Sequence, residues 1–231
     1  LAPGEMMIVE NSVCRKRRYW DWTFAQPGDY DADSEDALAG QLRELLLDAT
    51  VIRLRSDVPV GAYLSGGLDS SILASLIDGI GDIRLRTFSI TFPGSDLDES
   101  AYQEQVIQQL SSEHSRVVCK PENIAGEFIK TLWHTEAPIL RTAPVPMGIL
   151  SGLVRSQGYK VVLTGEGADE VFGGYDIFKE AKIRQFWARY PDSRLRPQLL
   201  KRLYPYLDLS KDQALGYLQS FFGVGLNNPQ L

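Results

Sequence analysis

Two short stretches of this sequence carry more chemistry than a packed core requires. The first is Leu64-Ser65-Gly66-Gly67-Leu68-Asp69-Ser70-Ser71. An apolar run, Val58 to Leu64, precedes it and reads as a buried strand; Ile72 to Ile77 follow as the apolar face of a helix. A strand, a glycine turn and a helix make an anion site, because the first helical N–H groups have no partner inside the helix. Ser65, Ser70 and Ser71 add hydroxyls, and Asp69 adds a carboxylate, which suits a phosphate cradle only if a cation lies between them. The Walker pattern and the dinucleotide fingerprint are both absent from this turn. The second stretch is Thr164-Gly165-Glu166-Gly167-Ala168-Asp169-Glu170, trailed by Phe172-Gly173-Gly174-Tyr175. Acidic groups at the end of a buried strand are costly unless a cation or donors meet them. If the two turns lie side by side, Asp69 and Asp169 can share Mg²⁺ bound to the phosphates of a nucleotide. The plainer readings are an N-cap for Asp69 or Ser70, and helix-start residues favoured by the dipole for Glu166, Asp169 and Glu170.

The elements around these turns alternate. Strands are expected at Val58–Leu64, Leu85–Phe92, Ser115–Cys119 and Tyr159–Thr164. Helices are expected at Ser70–Asp78, Asp98–Leu110, Pro121–Trp133 and Met147–Ser156, the last after a proline-rich loop. Such alternation predicts an α/β fold, a parallel sheet with helices on both faces. Ligands of such sheets sit outside the carboxyl ends of strands, near a switch in strand order. Before the sheet, Ser34 starts a helix that runs to about Arg55. The first residues suggest a hairpin of Met6–Val9 with Arg18–Trp22, then a turn-rich link at 26–31. Beyond Gly174 the pattern is all-helical, with candidates at Tyr175–Ala188, Arg196–Leu203 and Asp212–Phe222. The expected domains are therefore 1–33 as hairpin and linker, 34–175 as the core and 176–231 as a helical extension.

The bulk composition narrows the function classes. The 231 residues carry a net charge of -6 and a sequence pI near 5.0, which argues against a nucleic-acid partner. The basic run Arg15-Lys16-Arg17-Arg18 is short and reads as a hairpin face. No membrane span or signal peptide is expected. Cys14 and Cys119 have no metal-ligand spacing and read as reduced thiols in a cytoplasmic protein, and with only His114 and His134 a histidine-based metal site or catalytic triad is not expected. Leu1 in place of Met, and a tail of Gly223, Gly225, Asn227, Asn228 and Pro229 without a closing element, read as a piece of a longer chain.

The run Ser65-Gly66-Gly67-Leu68-Asp69-Ser70 resembles the pyrophosphate loop of the ATP pyrophosphatases, whose core is of the adenine nucleotide α-hydrolase type. With Thr87-Phe88-Ser89-Ile90 and the run from Gly165 to Tyr175, the chain is similar to the synthetase domain of glutamine-hydrolysing asparagine synthetases, and to β-lactam synthetases. The resemblance covers residues 3 to 190 or so. It implies a ligase that activates a carboxylate, aspartate first among them, with ATP as acyl-AMP and then amidates it. Ammonia would come from glutamine through a glutaminase domain elsewhere in the parent chain. It also implies that the family's catalytic lysine lies beyond residue 231. A homodimer is left open.

Carried over residue by residue, the resemblance implies that Leu64 and Ile90 flank adenine. Ser65, Gly66, Gly67, Asp69 and Ser70 hold the pyrophosphate, and Thr164 and Gly165 lie against the nucleotide. Asp69 and Asp169 are the carboxylates for Mg²⁺, and Glu166 faces the acyl-adenylate and the incoming amine. One departure concerns the stretch before Pro146-Met147, where asparagine-forming members tend to carry Arg-Ala-Ser and this chain has Thr142-Ala143-Pro144, with Arg141 shifted by one position. A relative acting on another carboxylate, or an ATP-binding module without chemistry, are the alternatives.

Overall fold

The computed structural model describes residues 1–24, 28–29, 31–81, 85–95, 98–203 and 212–226. Part of the link at 26–31 and the tail from Asn227 lie outside the described residues. The chain divides into two units, Leu1–Leu45 and Leu46–Leu231.

The first unit holds an antiparallel hairpin, β1 (Glu5–Glu10) and β2 (Val13–Arg18), in the register Glu10↔Val13 and Glu5↔Arg18. The second strand is therefore not Arg18–Trp22 as its aromatic residues suggested. The turn is the pair Asn11-Ser12, with φ of 49° and 61°. Positive φ at both centres is the mark of a type I′ hairpin turn, and asparagine tolerates it well. That turn draws the basic run Arg15 to Arg18 into β2, and Trp20, Trp22 and Phe24 follow as a file of ring contacts. Helix α1 (Glu35–Leu54) opens at Ser34, whose hydroxyl accepts the Ala37 N–H at 3.3 Å, and it passes into the second unit.

The second unit is built on four parallel strands: β3 (Val60–Tyr63), β4 (Arg86–Thr91), β5 (Glu113–Val118) and β6 (Val161–Leu163). Their order is β5-β4-β3-β6, so the chain steps outward from β3 on one side and returns to its other side with β6. The order reverses between β3 and β6, where a ligand crevice is expected. Helices α2 (Leu68–Ile80) and α3 (Ser100–Ile107) cover one face, where Ala74 and Ile77 pack with Ala62, Leu64 and Leu85, joined by Val106 and Ile107. Helix α5 (Pro144–Ser156) covers the other, with Leu150 and Val154 against Phe88, Tyr63 and Val162. Helix α4 (Pro121–Thr135) packs on α5. The parity of β3 and β4 explains this split, since successive side chains point to opposite faces. Helix α5 begins at Pro144, three residues before the expected Met147, because proline is tolerated in a first turn.

After β6 come a short helix α6 (Ala168–Phe172), with Asp169 and Glu170 in its first turn as the helix-start reading expected, then α7 (Asp176–Ala188), a 3₁₀ segment at Arg196–Arg202, and α8 (Asp212–Phe222). Trp187, Leu200, Leu203, Leu218 and Phe222 form their own core. The Arg196 guanidinium lies 4.1 Å from the ring centres of both Phe186 and Tyr190. Cys14 and Cys119 are free thiols. Among the described residues no helix is long and apolar enough to cross a membrane.

Candidate active site

Strand β3 ends at Tyr63, and the N–H of Leu64 still donates to the Phe88 carbonyl at 2.9 Å before the chain leaves the sheet. The turn then runs through Gly66, at φ 88°, into α2. A Cβ on Gly66 would lie 2.8 Å from the Gln103 nitrogen and 2.9 Å from the Tyr102 Cβ, so glycine is needed for its conformation and for this close approach to α3. The hydroxyls bond within the turn. Ser65 Oγ accepts the Gly67 N–H at 3.1 Å and meets Ser70 Oγ at 2.9 Å, and Ser71 Oγ donates to the Gly67 carbonyl at 2.7 Å. They hold the loop's shape, while the first turn of α2 has no side-chain cap and keeps its N–H groups for a ligand.

The second turn follows β6. The register Ala62↔Leu163 sets Thr164 and Gly165 level with the end of β3. A Cβ on Gly165 would be 2.9 Å from the Asp69 Cβ and 3.0 Å from the Ser70 nitrogen, so the two acidic turns press directly on each other. Gly167, at φ 96°, starts α6, which carries Asp169 and Glu170 in its first turn. Gly174 lies so near Asp169 that a Cβ there would overlap Oδ1, and its N–H donates to the Asp169 carbonyl at 2.9 Å. The Tyr175 hydroxyl donates to Glu170 Oε1 at 3.1 Å. That bond, then partial burial, then the charges of Glu170, Asp169 and Glu166 push the Tyr175 phenol above its ordinary value.

A cavity of about 350 Å³ opens where these turns meet. Leu64, Ser65, Gly67, Asp69 and Ser70 line it from the first turn, Thr164, Gly165, Glu166 and Asp169 from the second, and Ile90 from β4. Of the residues given a role by the resemblance, Gly66 alone is not on the wall; it sits behind the loop against α3, and Ser71 and Glu170 of the two turns do not line the cavity either. The sequence reading missed Tyr63, Phe92, Glu99, Gln103 and Leu150 as lining residues, and it quoted Tyr175 without giving it a role. The signal for Gln103 was a polar side chain on the helical face that also carries Val106 and Ile107. Arg141 is exposed and is not among the lining residues.

The ionisable side chains on the wall that could meet a cation are Asp69, Glu99, Glu166 and Asp169, and the described lining includes no lysine, arginine or histidine. Among the described residues no group of three or more His, Cys, Asp or Glu forms a closed metal cage. That donor set fits Mg²⁺, which is commonly held by one or two carboxylates together with phosphate oxygens of its ligand.

The asparagine synthase family matches this chain over residues 41–227. The chain is 34% identical to a Penicillium rubens protein named amidase chyE, over 97% of this chain and 34% of that protein. It is 35% identical to asparagine synthetase (glutamine-hydrolysing) 1 of Bacillus subtilis, over 72% of this chain and 26% of that protein. The chain thus spans about a third of the length of the first of these relatives and about a quarter of the second. Among solved structures, the glutamine-dependent NAD+ synthetase from Acinetobacter baumannii in complex with ADP aligns with a TM-score of 0.42 and 17% identity. That alignment covers 83% of this chain and 45% of that one.

Proposed function

Because the chain belongs to the asparagine synthase family, we propose that it is the synthetase part of an ATP-dependent amide-forming ligase. A carboxylate does not accept ammonia directly, since oxide is too poor a leaving group. The carboxylate oxygen attacks the α-phosphorus of ATP, the bond to the bridging oxygen breaks, and pyrophosphate departs. Ammonia then adds to the acyl carbon of the acyl-adenylate and AMP leaves, giving the amide. Aspartate is the first candidate acid, with asparagine, AMP and pyrophosphate as products. Ammonia is supplied from glutamine by a glutaminase domain of a longer chain, to which residues 1–33 lead. In this reading residues 34–175 are the catalytic core and 176–231 its helical extension.

The chain's own groups divide the work. The turn from Ser65 to Ser70 and the uncapped start of α2 orient the pyrophosphate. Leu64 and Ile90 flank the adenine, and Thr164 and Gly165 lie against the nucleotide. Asp69 and Asp169 hold Mg²⁺, which when bound neutralises charge on the departing pyrophosphate. Glu166 accepts the proton lost by the attacking ammonia. The observation that carries this reading is the seating of Gly165 on Asp69 and Ser70, which joins both acidic turns to one cavity. The test is exchange of labelled pyrophosphate into ATP by the full-length protein with Mg²⁺ and a panel of amino-acid carboxylates. Exchange that depends on one of them is expected; none with any of them overturns the proposal.

A second reading, an enzyme of the same mechanism acting on a carboxylate other than aspartate, is favoured by one feature. Thr142-Ala143-Pro144 leads straight into α5, and Arg141 stands outside the cavity wall. The likeness to a protein named an amidase supports it. Exchange driven by another acid and not by aspartate would select it.

A further inference from the structure

Gln103 is 2% exposed, lines the cavity and has no part in the chemistry above. Its place follows from how β3 ends. In β4 the Thr91 carbonyl accepts the Cys119 N–H on the β5 side, so the Ile90 carbonyl points the other way, toward β3. Strand β3 has already left the sheet at Leu64, and no strand N–H reaches Ile90. Gln103 Nε2 fills that gap, donating to the Ile90 carbonyl at 3.1 Å. This bond fixes the amide, because turning it over would set oxygen against oxygen. Gln103 Oε1 is then a buried acceptor with no hydrogen-bond partner among the described residues. Ile90 and Glu99 are also on the wall, and no described lining side chain is cationic.

We propose that Gln103 is a specificity-determining residue that reads the six-position of a purine base. Its Oε1 takes an N–H from a 6-amino group and repels the oxygen of a 6-oxo purine. The inference rests on the ATP reading above and adds the group that distinguishes one nucleotide base from another. A site built around an acceptor of this kind rejects a ligand that brings no donor, since the acceptor is then left unpaired.

The test compares equilibrium binding of three nucleotides to the full-length protein with Mg²⁺: ATP, inosine triphosphate, and purine riboside triphosphate, which has hydrogen at the six-position. The wild type should favour ATP over each of the others by about tenfold or more. In Gln103→Met, which keeps the volume and loses both amide groups, that preference should shrink to about threefold or less. A merely structural glutamine would weaken all three nucleotides together and leave the ratios unchanged, and that result overturns the proposal. The wild-type comparison stands even if the variant does not fold, and equal binding of ATP and purine riboside triphosphate there also overturns it. If none of the three binds, the ATP reading falls and this inference falls with it; binding without discrimination removes this inference alone.

Discussion

Replacing Gly165 by alanine should damage the site far more than the fold. The new methyl would stand 2.9 Å from the Asp69 Cβ, 3.0 Å from the Ser70 nitrogen and 3.1 Å from the Asp69 carbonyl carbon. Ordinary contacts begin near 3.4 Å, so the neighbours must withdraw by roughly half an ångström. Most of those neighbours are backbone of the first turn of α2, which cannot swing aside as a side-chain tip can. Gly165 does not have a positive φ, so alanine brings no backbone strain and the contact is isolated. Overpacking of this kind costs about 1–3 kcal/mol, a few degrees in Tm for a domain of this size. The consequence for chemistry is larger, because Asp69 itself is displaced; a misplacement on the order of 1 Å can cost about a hundredfold in rate. Pyrophosphate exchange by Gly165→Ala should therefore fall by about tenfold to a hundredfold. Gly152→Ala, where a Cβ meets nothing within 4 Å, serves as the control and should match the wild type. Exchange within threefold of wild type in Gly165→Ala would refute the idea that the two turns act as one unit.

Glu166→Gln should keep carboxylate-dependent pyrophosphate exchange within a few-fold while amide formation drops by about 10²- to 10⁴-fold, the usual worth of a general base. Equal loss of both reactions would place Glu166 in adenylation instead, and loss of neither would favour a module that only binds ATP. Phe88→Ala should lower stability by about 3–5 kcal/mol in a denaturant titration, since the ring is fully buried against Leu150, Val154 and the edge of Tyr159. His114 is held down to about 4, by burial first and by Arg116 second, with Nδ1 at 2.9 Å from Thr87 Oγ1. Its folded value lies below its unfolded one, so the unfolded chain binds the extra proton first. Stability should then fall as pH drops from about 6.5 toward 4, and His114→Gln should flatten that part of the urea-midpoint profile.

The sheet and the two acidic turns were legible because each rests on local pattern: short apolar strands, helix-length spacers, and glycines where strands end. Their adjacency followed from the general reversal of strand order in parallel sheets, before any contact was known. The second hairpin strand was misplaced because Trp20 and Trp22 advertise β structure more loudly than the Asn11-Ser12 turn that sets the register. Gln103 stood out only as a polar side chain on an apolar helix face, and its role was hidden for a different reason. Its role depends on a carbonyl left over where β3 departs, a relation between three segments that no single window contains. The serines of the first turn were read as free donors, yet their hydroxyls bond to one another and to Gly67, which only the folded loop reveals.

The placement of β6 beside β3 has a consequence for assembly. The pairing Val60↔Val161 closes a loop of roughly a hundred residues, whereas β3, β4 and β5 join through much shorter crossovers. A chain emerging in order can dock its first three strands early, but the cavity has only one wall until the fourth arrives. Long-range parallel pairing is slow, so nucleotide should shield the last strand to dock more than it shields the rest. Hydrogen exchange at Val161, Val162 and Leu163 is where that late closure would be read.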